Sequence, residues 1–209
     1  MTENPAHPGS DLEPGTSLHL GPIMGLDPGS RHAGYGLISA KGSSVTLLAH
    51  GRVSAPASWD FAKRLAHIHR GLLALVDQYK PRALAIEDVF TMINPRSALR
   101  LAQARGVAIL AAALRDIPIF EYAPNQIKNS VTGHGRAEKD QVAFMVKSIL
   151  KQDEDFAPDA SDALAAAICH ANQKPMMTLA GGRAKTKSAK WSQMTPADLA
   201  SLGYKVAKY

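Results

Sequence analysis

The chain has 209 residues, of which 45% are hydrophobic and 20% are charged, proportions that are typical of a globular protein with one full core. No run of 18 apolar residues occurs, and the first 20 residues contain no lysine or arginine. We therefore expect neither a membrane-spanning helix nor a secretory signal. Cys169 is the single cysteine, which excludes an internal disulfide framework and favours a reducing, cytoplasmic setting.

The net charge of +6 is distributed unevenly along the chain. Residues 1–20 carry −3, residues 21–173 carry +3 and residues 174–209 carry +6. Together with the prolines of the first segment, this distribution predicts a disordered leader over 1–20, one folded domain over 21–173 and a basic, flexible tail over 174–209. A basic excess suits a polyanionic partner such as nucleic acid, although many basic tails only increase solubility.

Hydrophobic patterning predicts five strands with helices between and after them. We expect strands at 21–27, 33–40, 44–54, 83–90 and 117–122. We expect helices at 60–79, 95–115, 136–151 and 159–172, with a helical turn at 123–128 and a glycine loop at 131–135. Three antiparallel strands followed by crossover helices indicate an α/β fold, with a mixed five-stranded sheet and helices on both faces.

Four acidic residues lie where this pattern would place apolar ones. Asp27 ends the first strand, and Glu87 lies within the fourth. Asp159 and Asp162 open an alanine-rich helix, and their spacing of three places them on one face. Asp27 is also compatible with a simple Asp-Pro-Gly turn, and Asp159 with a helix cap, but Asp162 lies within a pattern typical of a buried helix.

Four carboxylates cannot all stay ionised in an apolar setting unless cations neutralise them. Hard oxygen ligands at this density favour Mg²⁺ or Mn²⁺. Two such ions about 4 Å apart can clamp the attacking water and the leaving oxygen of a phosphodiester. The acids therefore predict a two-metal hydrolase of nucleic acid, in agreement with the basic excess.

Four motifs resemble those of the RuvC family of Holliday junction resolvases, and they are found at 25–36, 85–90, 97–108 and 159–165. The resemblance extends from about residue 22 to 173, and residues 121–122, 126–131 and 137–139 also match in order and spacing. It implies a ribonuclease-H-like fold and a divalent-metal endonuclease that nicks two strands symmetrically across a four-way DNA junction, in recombination and repair. It also implies a homodimer and, as a partner, a branch-migration complex of the RuvA/RuvB type.

The resemblance assigns roles to individual residues of this chain. Asp27, Glu87, Asp159 and Asp162 match the family's metal-binding catalytic acids, with two ions expected per site. Phe90 matches an aromatic residue that stacks on bases at the junction, and a core residue is the alternative. Lys128 and Lys139 match lysines near the scissile backbone, where simple surface solvation is the alternative.

Other features are weaker or depart from the family pattern. Arg96, Arg100 and Arg105 are candidates for phosphate contacts, although charges on helix surfaces are usually only solvated. Asp88 stands where well-known members of the family have glutamine, so it is left out of the catalytic set. His134, in the glycine loop, is a candidate phosphate or base contact.

Two subunits suit a junction that is cut twice, because its near two-fold symmetry calls for two related active sites. The helix at 95–115 is the candidate interface. It has a face of small and apolar residues that would permit close approach to another helix, formed by Ala98, Leu101, Ala102, Gly106, Ile109 and Leu114.

Three alternative functions can be compared with this prediction. A related ribonuclease-H-like nuclease acting on structured RNA would need the same acids. An actin-like ATP-binding module would explain the Asp27-Pro-Gly turn, but that fold needs a second half-domain, and the chain shows no internal repeat. A junction-binding protein without activity is disfavoured because all four acids are present.

Overall fold

The computed structural model describes residues 19–88 and 94–179, with side chains from 21 to 88 and from 94 to 173. The strands within these ranges are β1 (His19–Asp27), β2 (His32–Lys41), β3 (Ser44–Ser54), β4 (Ala83–Glu87) and β5 (Ile119–Tyr122). The helices are α1 (Phe61–Tyr79), α2 (Pro95–Ala113), α3 (Pro124–Thr132), α4 (Lys139–Leu150) and α5 (Pro158–Leu179). No helix in these ranges has the length and hydropathy of a membrane-spanning segment.

The five strands form one mixed sheet in the order β3-β2-β1-β4-β5. β1, β2 and β3 pair antiparallel, whereas β4 pairs parallel with both β1 and β5. The parallel pairs follow from the crossover helices α1 and α2, since a parallel neighbour needs a long connection. The predicted mixed five-stranded sheet is confirmed.

Helices cover both faces of the sheet, as predicted, and each face has its own core. On one face, α1 and α2 pack over large aliphatic side chains that include Met24, Leu26 and Leu37. On the other face, α3, α4 and α5 pack over β1, β2 and β4, and α5 contributes a buried run from Leu164 to Cys169.

The helix boundaries differ from the predictions in the second half of the chain. The segment at 124–132 is a full helix, α3, which ends where Gly133 adopts a φ of 74°. α4 begins at Lys139 instead of 136, because the backbone N–H of Glu138 donates to Oε1 of Gln141 at 3.0 Å and so caps the helix start. α5 continues to Leu179, so the end predicted near 172 was wrong, since a proline such as Pro175 can kink a helix instead of ending it.

The buried side of α2 does not coincide with the apolar face named from the sequence as a candidate interface. The buried residues of α2 are Ala104, Ala108, Ala111 and Ala112, whereas Gly106 is exposed. Alanines occur on several sides of this helix, so spacing alone does not distinguish the inward face. The predicted cap is confirmed, because the backbone N–H groups of Arg96 and Ser97 donate to Oδ1 of Asn94 at 3.0 and 3.4 Å.

Glycines allow α5 to lie unusually close to the sheet. A Cβ added to Gly25 would overlap the backbone of Ala163, and one added to Gly34 would overlap the backbone of Asp159. Gly34 pairs with Asp27 across the β1–β2 ladder, so the closest approach occurs at the end of β1 that carries the acid. The sequence of β1 and β2 thus places the N-terminus of α5 against the strand ends.

Candidate active site

Strand geometry brings Asp27 and Glu87 to the same edge and the same face of the sheet. β1 and β4 run parallel with Leu26 opposite Ile86, so the next residue of each strand is Asp27 and Glu87. Because side chains alternate between faces, both acids share the face of Gly25 and Ala85, which α5 covers. Neighbouring strands are about 4.8 Å apart, so the two carboxylates are neighbours.

α5 adds two further carboxylates over this edge. Asp159 lies in the first turn of the helix and Asp162 one turn later, and their side chains are 32% and 38% exposed. The close contact at Gly34 fixes the first turn of α5 beside Asp27. Three separate segments therefore contribute to one acidic cluster, formed by Asp27, Glu87, Asp159 and Asp162, which we call the acid cluster.

The pKa of Asp27 is affected by the other three acids, which shows that they lie close to it. Burial raises the pKa of Asp27 from 3.8 to about 7, and the negative charges of Asp162, Asp159 and Glu87 contribute to the shift in the same direction. Lys139 is the opposing cation. Asp27 is therefore a half-buried carboxyl whose charge the protein itself does not neutralise.

Glu87 shows the same behaviour to a smaller extent. Burial and then the charge of Asp162 raise the pKa of Glu87 above its usual value, while Lys139, Lys128 and Arg105 act against the shift. These cations come from α4, α3 and α2 respectively. The acid cluster is thus surrounded by positive charges on the helices beside it.

Two ion pairs bind the acids of α5 directly. Nζ of Lys139 lies 3.5 Å from Oδ2 of Asp162, and the lysine side chain is 86% exposed. Nη1 of Arg52 lies 3.9 Å from Oδ2 of Asp159. A groove beside the cluster is lined by Glu87, Asp162, Lys128 and Lys139 together with Pro124, Ile127, Val142 and Ala165. Exposed ion pairs of this kind are weak, so both cations are available to a polyanion.

The donor set suits a hard divalent cation. All four members of the acid cluster offer carboxylate oxygens, the ligands that Mg²⁺ and Mn²⁺ prefer, and the pKa of Asp27 is raised first by burial and then by the neighbouring negative charges, both of which a bound cation would offset. Within residues 21–88 and 94–173, no three His, Cys, Asp or Glu side chains are already grouped as the ligands of one ion. An ion would therefore have to draw the carboxylates closer together.

Arg52 was missed by the sequence interpretation. It lies on β3 opposite Gly34, which in turn lies opposite Asp27, so the three residues form one row across the sheet. Because Gly34 has no side chain, Arg52 can reach across the row to Asp159. No motif marks Arg52, and only the strand register could have identified it.

Two of the predicted DNA contacts lie beside the acid cluster. Lys128 and Lys139 line the groove beside it. Arg96 is exposed in the first turn of α2, and the Arg100 guanidinium lies 5.8 Å from the ring centroid of Phe61 on α1. Phe90 lies in the segment 89–93, outside the described residues.

Two departures from the family pattern also have defined positions. Asp88 follows β4, and its backbone N–H donates to the carbonyl of Tyr122 at 2.8 Å. His134 is exposed in the loop after α3, where its backbone N–H donates to Oγ1 of Thr132 at 3.1 Å. Neither contact includes a member of the acid cluster.

The chain matches known proteins over the region that contains this site. The model of the family described as crossover junction endodeoxyribonuclease RuvC matches residues 23–170. The RuvC of Pseudoalteromonas translucida is 48% identical over 165 residues, which cover 78% of this chain and 94% of that protein. The RuvC of a Geobacter species, strain M21, is 47% identical over 160 residues, 77% of this chain and 98% of that protein.

Solved structures agree with these sequence matches. The RuvC of Thermus thermophilus in complex with a Holliday junction substrate is 33% identical, with a TM-score of 0.71, over 75% of this chain and 96% of that one. The yeast mitochondrial Holliday junction resolvase Ydc2 has a TM-score of 0.57 at 15% identity, over 77% of this chain and 81% of that one, which shows a shared fold alone. By sequence and by ribonuclease-H-like architecture, the chain belongs to the RuvC family of crossover junction endodeoxyribonucleases.

Proposed function

We propose that the protein is a structure-selective DNA endonuclease that resolves four-way junctions by paired, symmetric phosphodiester hydrolysis in recombination and repair. The observation that carries the proposal is the acid cluster at one sheet edge, with Lys128, Lys139 and Arg52 around it. Carboxylates alone would repel a nucleic acid backbone. Cations on both sides of the cluster allow a strand to lie across it.

In this proposal, Asp27, Glu87, Asp159 and Asp162 hold two divalent ions, Mg²⁺ or Mn²⁺, in each site. The ions would supply an activated water and neutralise the charge that develops on the phosphate. The chain's own contribution is position. The strand ends fix Asp27 and Glu87, and the glycine contacts of α5 fix Asp159 and Asp162 opposite them.

The surrounding cations have a separate role, which is to hold the DNA backbone. Lys139 and Arg52 pair with the α5 acids on opposite sides of the cluster. When ions take over neutralisation of these acids, both side chains become free to bind phosphates that flank the scissile bond. Phe90 would then stack on bases near the crossover, and Arg96 and Arg100 would add outer phosphate contacts.

Two copies of the chain would supply the two cuts, and α2 is the proposed interface. Leu99, Leu110 and Leu114, on or next to this helix, are 68%, 47% and 42% exposed, and a Cβ added to Gly106 would meet no atom within 4 Å. An exposed apolar stripe with a glycine at its centre suits close packing against a second α2. A branch-migration complex acting on the same junction in the cytoplasm would be the working partner.

A synthetic four-way junction incubated with the full chain tests the proposal. We expect paired nicks at symmetric positions in the presence of Mg²⁺ or Mn²⁺ and none in chelator, mapped on denaturing gels with each strand labelled in turn. A structured RNA of equal length is the competitor substrate, and preferential cleavage of that RNA would contradict the assignment to DNA junctions.

The variant Asp27→Asn should bind the junction but cut at least about 1,000-fold more slowly, because it removes a charged ligand from the proposed ion sites. Near-ultraviolet circular dichroism checks that Asp27→Asn is folded. Cleavage by Asp27→Asn at the rate of the unmodified protein would refute the proposed site.

A further inference from the structure

Arg105 differs from the other arginines of α2 in its surroundings. Its side chain is 13% exposed, whereas Arg96 and Arg100 are exposed residues. Its Nη1 donates to the backbone carbonyl oxygen of Glu87, and its Nη2 lies 2.8 Å from Oε2 of Glu121. The expectation that Arg105 contacts phosphate does not fit this geometry, because the guanidinium points into the protein.

The two partners of Arg105 lie at the ends of neighbouring parallel strands. Glu87 is the last residue of β4, and Glu121 lies one residue before the end of β5. Asp88, the residue after Glu87, donates its backbone N–H to the carbonyl oxygen of Tyr122 on β5, whereas the carbonyl of Glu87 accepts from Arg105 on α2. The carbonyl of Glu87 therefore receives its donor from a helix, and the end of β4 is tied to α2 as well as to β5.

Burying the Arg105 guanidinium beside the sheet costs desolvation free energy. Desolvating a charge is unfavourable unless it is paired and hydrogen-bonded, and Arg105 makes one contact of each kind. An apolar residue would cover the same surface of α2 without that cost. The arginine provides a fixed donor at the residue whose side chain enters the acid cluster, which an apolar side chain could not do.

We propose that Arg105 is a positioning residue, which fixes the backbone of Glu87 and so directs its carboxylate toward the other three acids. Glu121 holds the guanidinium in place. The inference rests on the proposed metal-dependent function of the acid cluster. Arg105 touches neither the substrate nor the ions in this arrangement. Its positioning effect passes through the main chain of Glu87, and its charge also favours the ionised Glu87 carboxylate.

Two different quantities separate this role from a DNA contact. Groups that orient metal ligands typically contribute about 10- to 100-fold to metal affinity or activity. Junction affinity depends on the exposed cations, which Arg105 does not contact. Loss of Arg105 should therefore weaken ion binding and slow cleavage without weakening the binding of DNA.

The experiment compares Arg105→Met, Arg105→Lys and Glu121→Gln with the unmodified chain. Mn²⁺ affinity is measured on the protein alone from the electron paramagnetic resonance signal of free Mn²⁺. Single-turnover cleavage is followed as a function of Mg²⁺ concentration, and junction affinity is measured by fluorescence anisotropy in chelator. Arg115→Met is the matched control, because Arg115 forms a similar pair with Asp77, with Nε 2.6 Å from Oδ1, away from the acids.

We expect Arg105→Met to bind Mn²⁺ about 10- to 100-fold more weakly and to cleave more slowly by a similar factor, with junction affinity changed less than twofold. Arg105→Lys should recover part of the loss, because a lysine can still donate to the carbonyl. Glu121→Gln should shift both quantities in the same direction by a smaller factor. Arg115→Met should leave Mn²⁺ affinity and cleavage unchanged.

Several results would overturn the inference. These are unchanged Mn²⁺ affinity in Arg105→Met, weaker junction binding with unchanged Mn²⁺ affinity, or an equal loss in Arg115→Met. If Arg105→Met does not fold, Arg105→Lys and Glu121→Gln decide, and unchanged Mn²⁺ affinity in both rejects the role. If the unmodified chain cuts no junction, the proposed function fails, while the Mn²⁺ comparison still tests Arg105.

Discussion

The two faces of the sheet are built on opposite principles. The face beneath α1 and α2 uses bulky side chains, including Met24, Leu37 and Leu72, which hold the helices away from the strands. The face beneath α5 removes side chains instead, so that the helix backbone approaches Gly25 and Gly34. Stability can be built in either way, but only the arrangement beneath α5 brings a helix terminus with two carboxylates against two strand ends.

Among changes that leave all four acids in place, the largest expected effect comes from adding a side chain between α5 and the sheet. In Gly34→Ala, the added Cβ would overlap the backbone of Asp159, so α5 must shift by a fraction of an ångström or more. Misplacement of about 1 Å can cost about 100-fold in rate, so we expect cleavage per folded molecule to fall by at least that factor. Single-turnover kinetics normalised to the folded fraction provide the measurement.

Leu72→Ala is the matching change on the other face. Leu72 is fully buried, and its truncation should destabilise the protein by about 2–5 kcal/mol through lost contacts and a cavity. Cleavage per folded molecule should stay within about threefold of the unmodified protein, because the acids lie on the opposite face. Equal losses of rate in Leu72→Ala and Gly34→Ala would remove the distinction between the faces.

A further prediction concerns stability and pH in the absence of divalent ions. The pKa of Asp27 is raised to about 7, so ionisation of this group opposes folding, and stability is lost as pH rises from about 4 to 7. Asp27→Asn removes this penalty. Asp27→Asn should therefore have a free energy of unfolding higher by an amount on the order of 1–4 kcal/mol at pH 8 in chelator. Thermal unfolding under these conditions should show this as a higher melting temperature.

Asp77 is the control, because its pKa is shifted in the opposite direction to that of Asp27. The hydrogen bond from Arg115 lowers the pKa of Asp77, so its ionised form favours folding above the usual aspartate range. Asp77→Asn should lower the melting temperature at pH 8, whereas Asp27→Asn raises it. At pH 4 the advantage of Asp27→Asn should largely disappear, and added Mg²⁺ should reduce it at pH 8 by stabilising the unmodified protein. A lower melting temperature for Asp27→Asn in chelator would contradict the charge distribution described for the acid cluster.

The smallest expected effects concern the exposed cations. Lys139→Gln and Arg52→Gln each remove one proposed phosphate contact, so junction affinity should fall a few-fold and the salt dependence should weaken by about one unit of slope. Lys147→Gln is the control, since Lys147 pairs with Asp155 at 2.8 Å outside the acid cluster. Binding isotherms at several salt concentrations measure the slope, and an equal change in all three variants would indicate only net charge.

The strands of the sheet and the acidic residues could be predicted from the sequence because both have a recognisable local pattern. Alternation marked the strands, and an acid inside an apolar run marked Asp27 and Glu87. Arg52 and Arg105 could not be assigned in this way. Arg52 acquires its position from strand register across Gly34, and Arg105 resembles any helix-surface arginine until the strand ends are placed beside it.

Two features of the helices could not be predicted, for a similar reason. α3 is short and begins at a proline, so its nine residues carry too few apolar positions to reveal a period. α2 is rich in alanine, so its inward side depends on what it meets and not on its own pattern. In both cases tertiary contacts supply information that the local sequence does not contain.

α5 both closes the core of one face and carries half of the acid cluster. A fragment that stops before Pro158 would lose the cover over β1 and β2 together with Asp159 and Asp162. Such a fragment would have an exposed apolar core and would not fold stably. Removing α5 therefore removes folding and the acids together. A truncated chain that binds DNA junctions without cutting them, and so inhibits the intact enzyme, is not expected from this architecture.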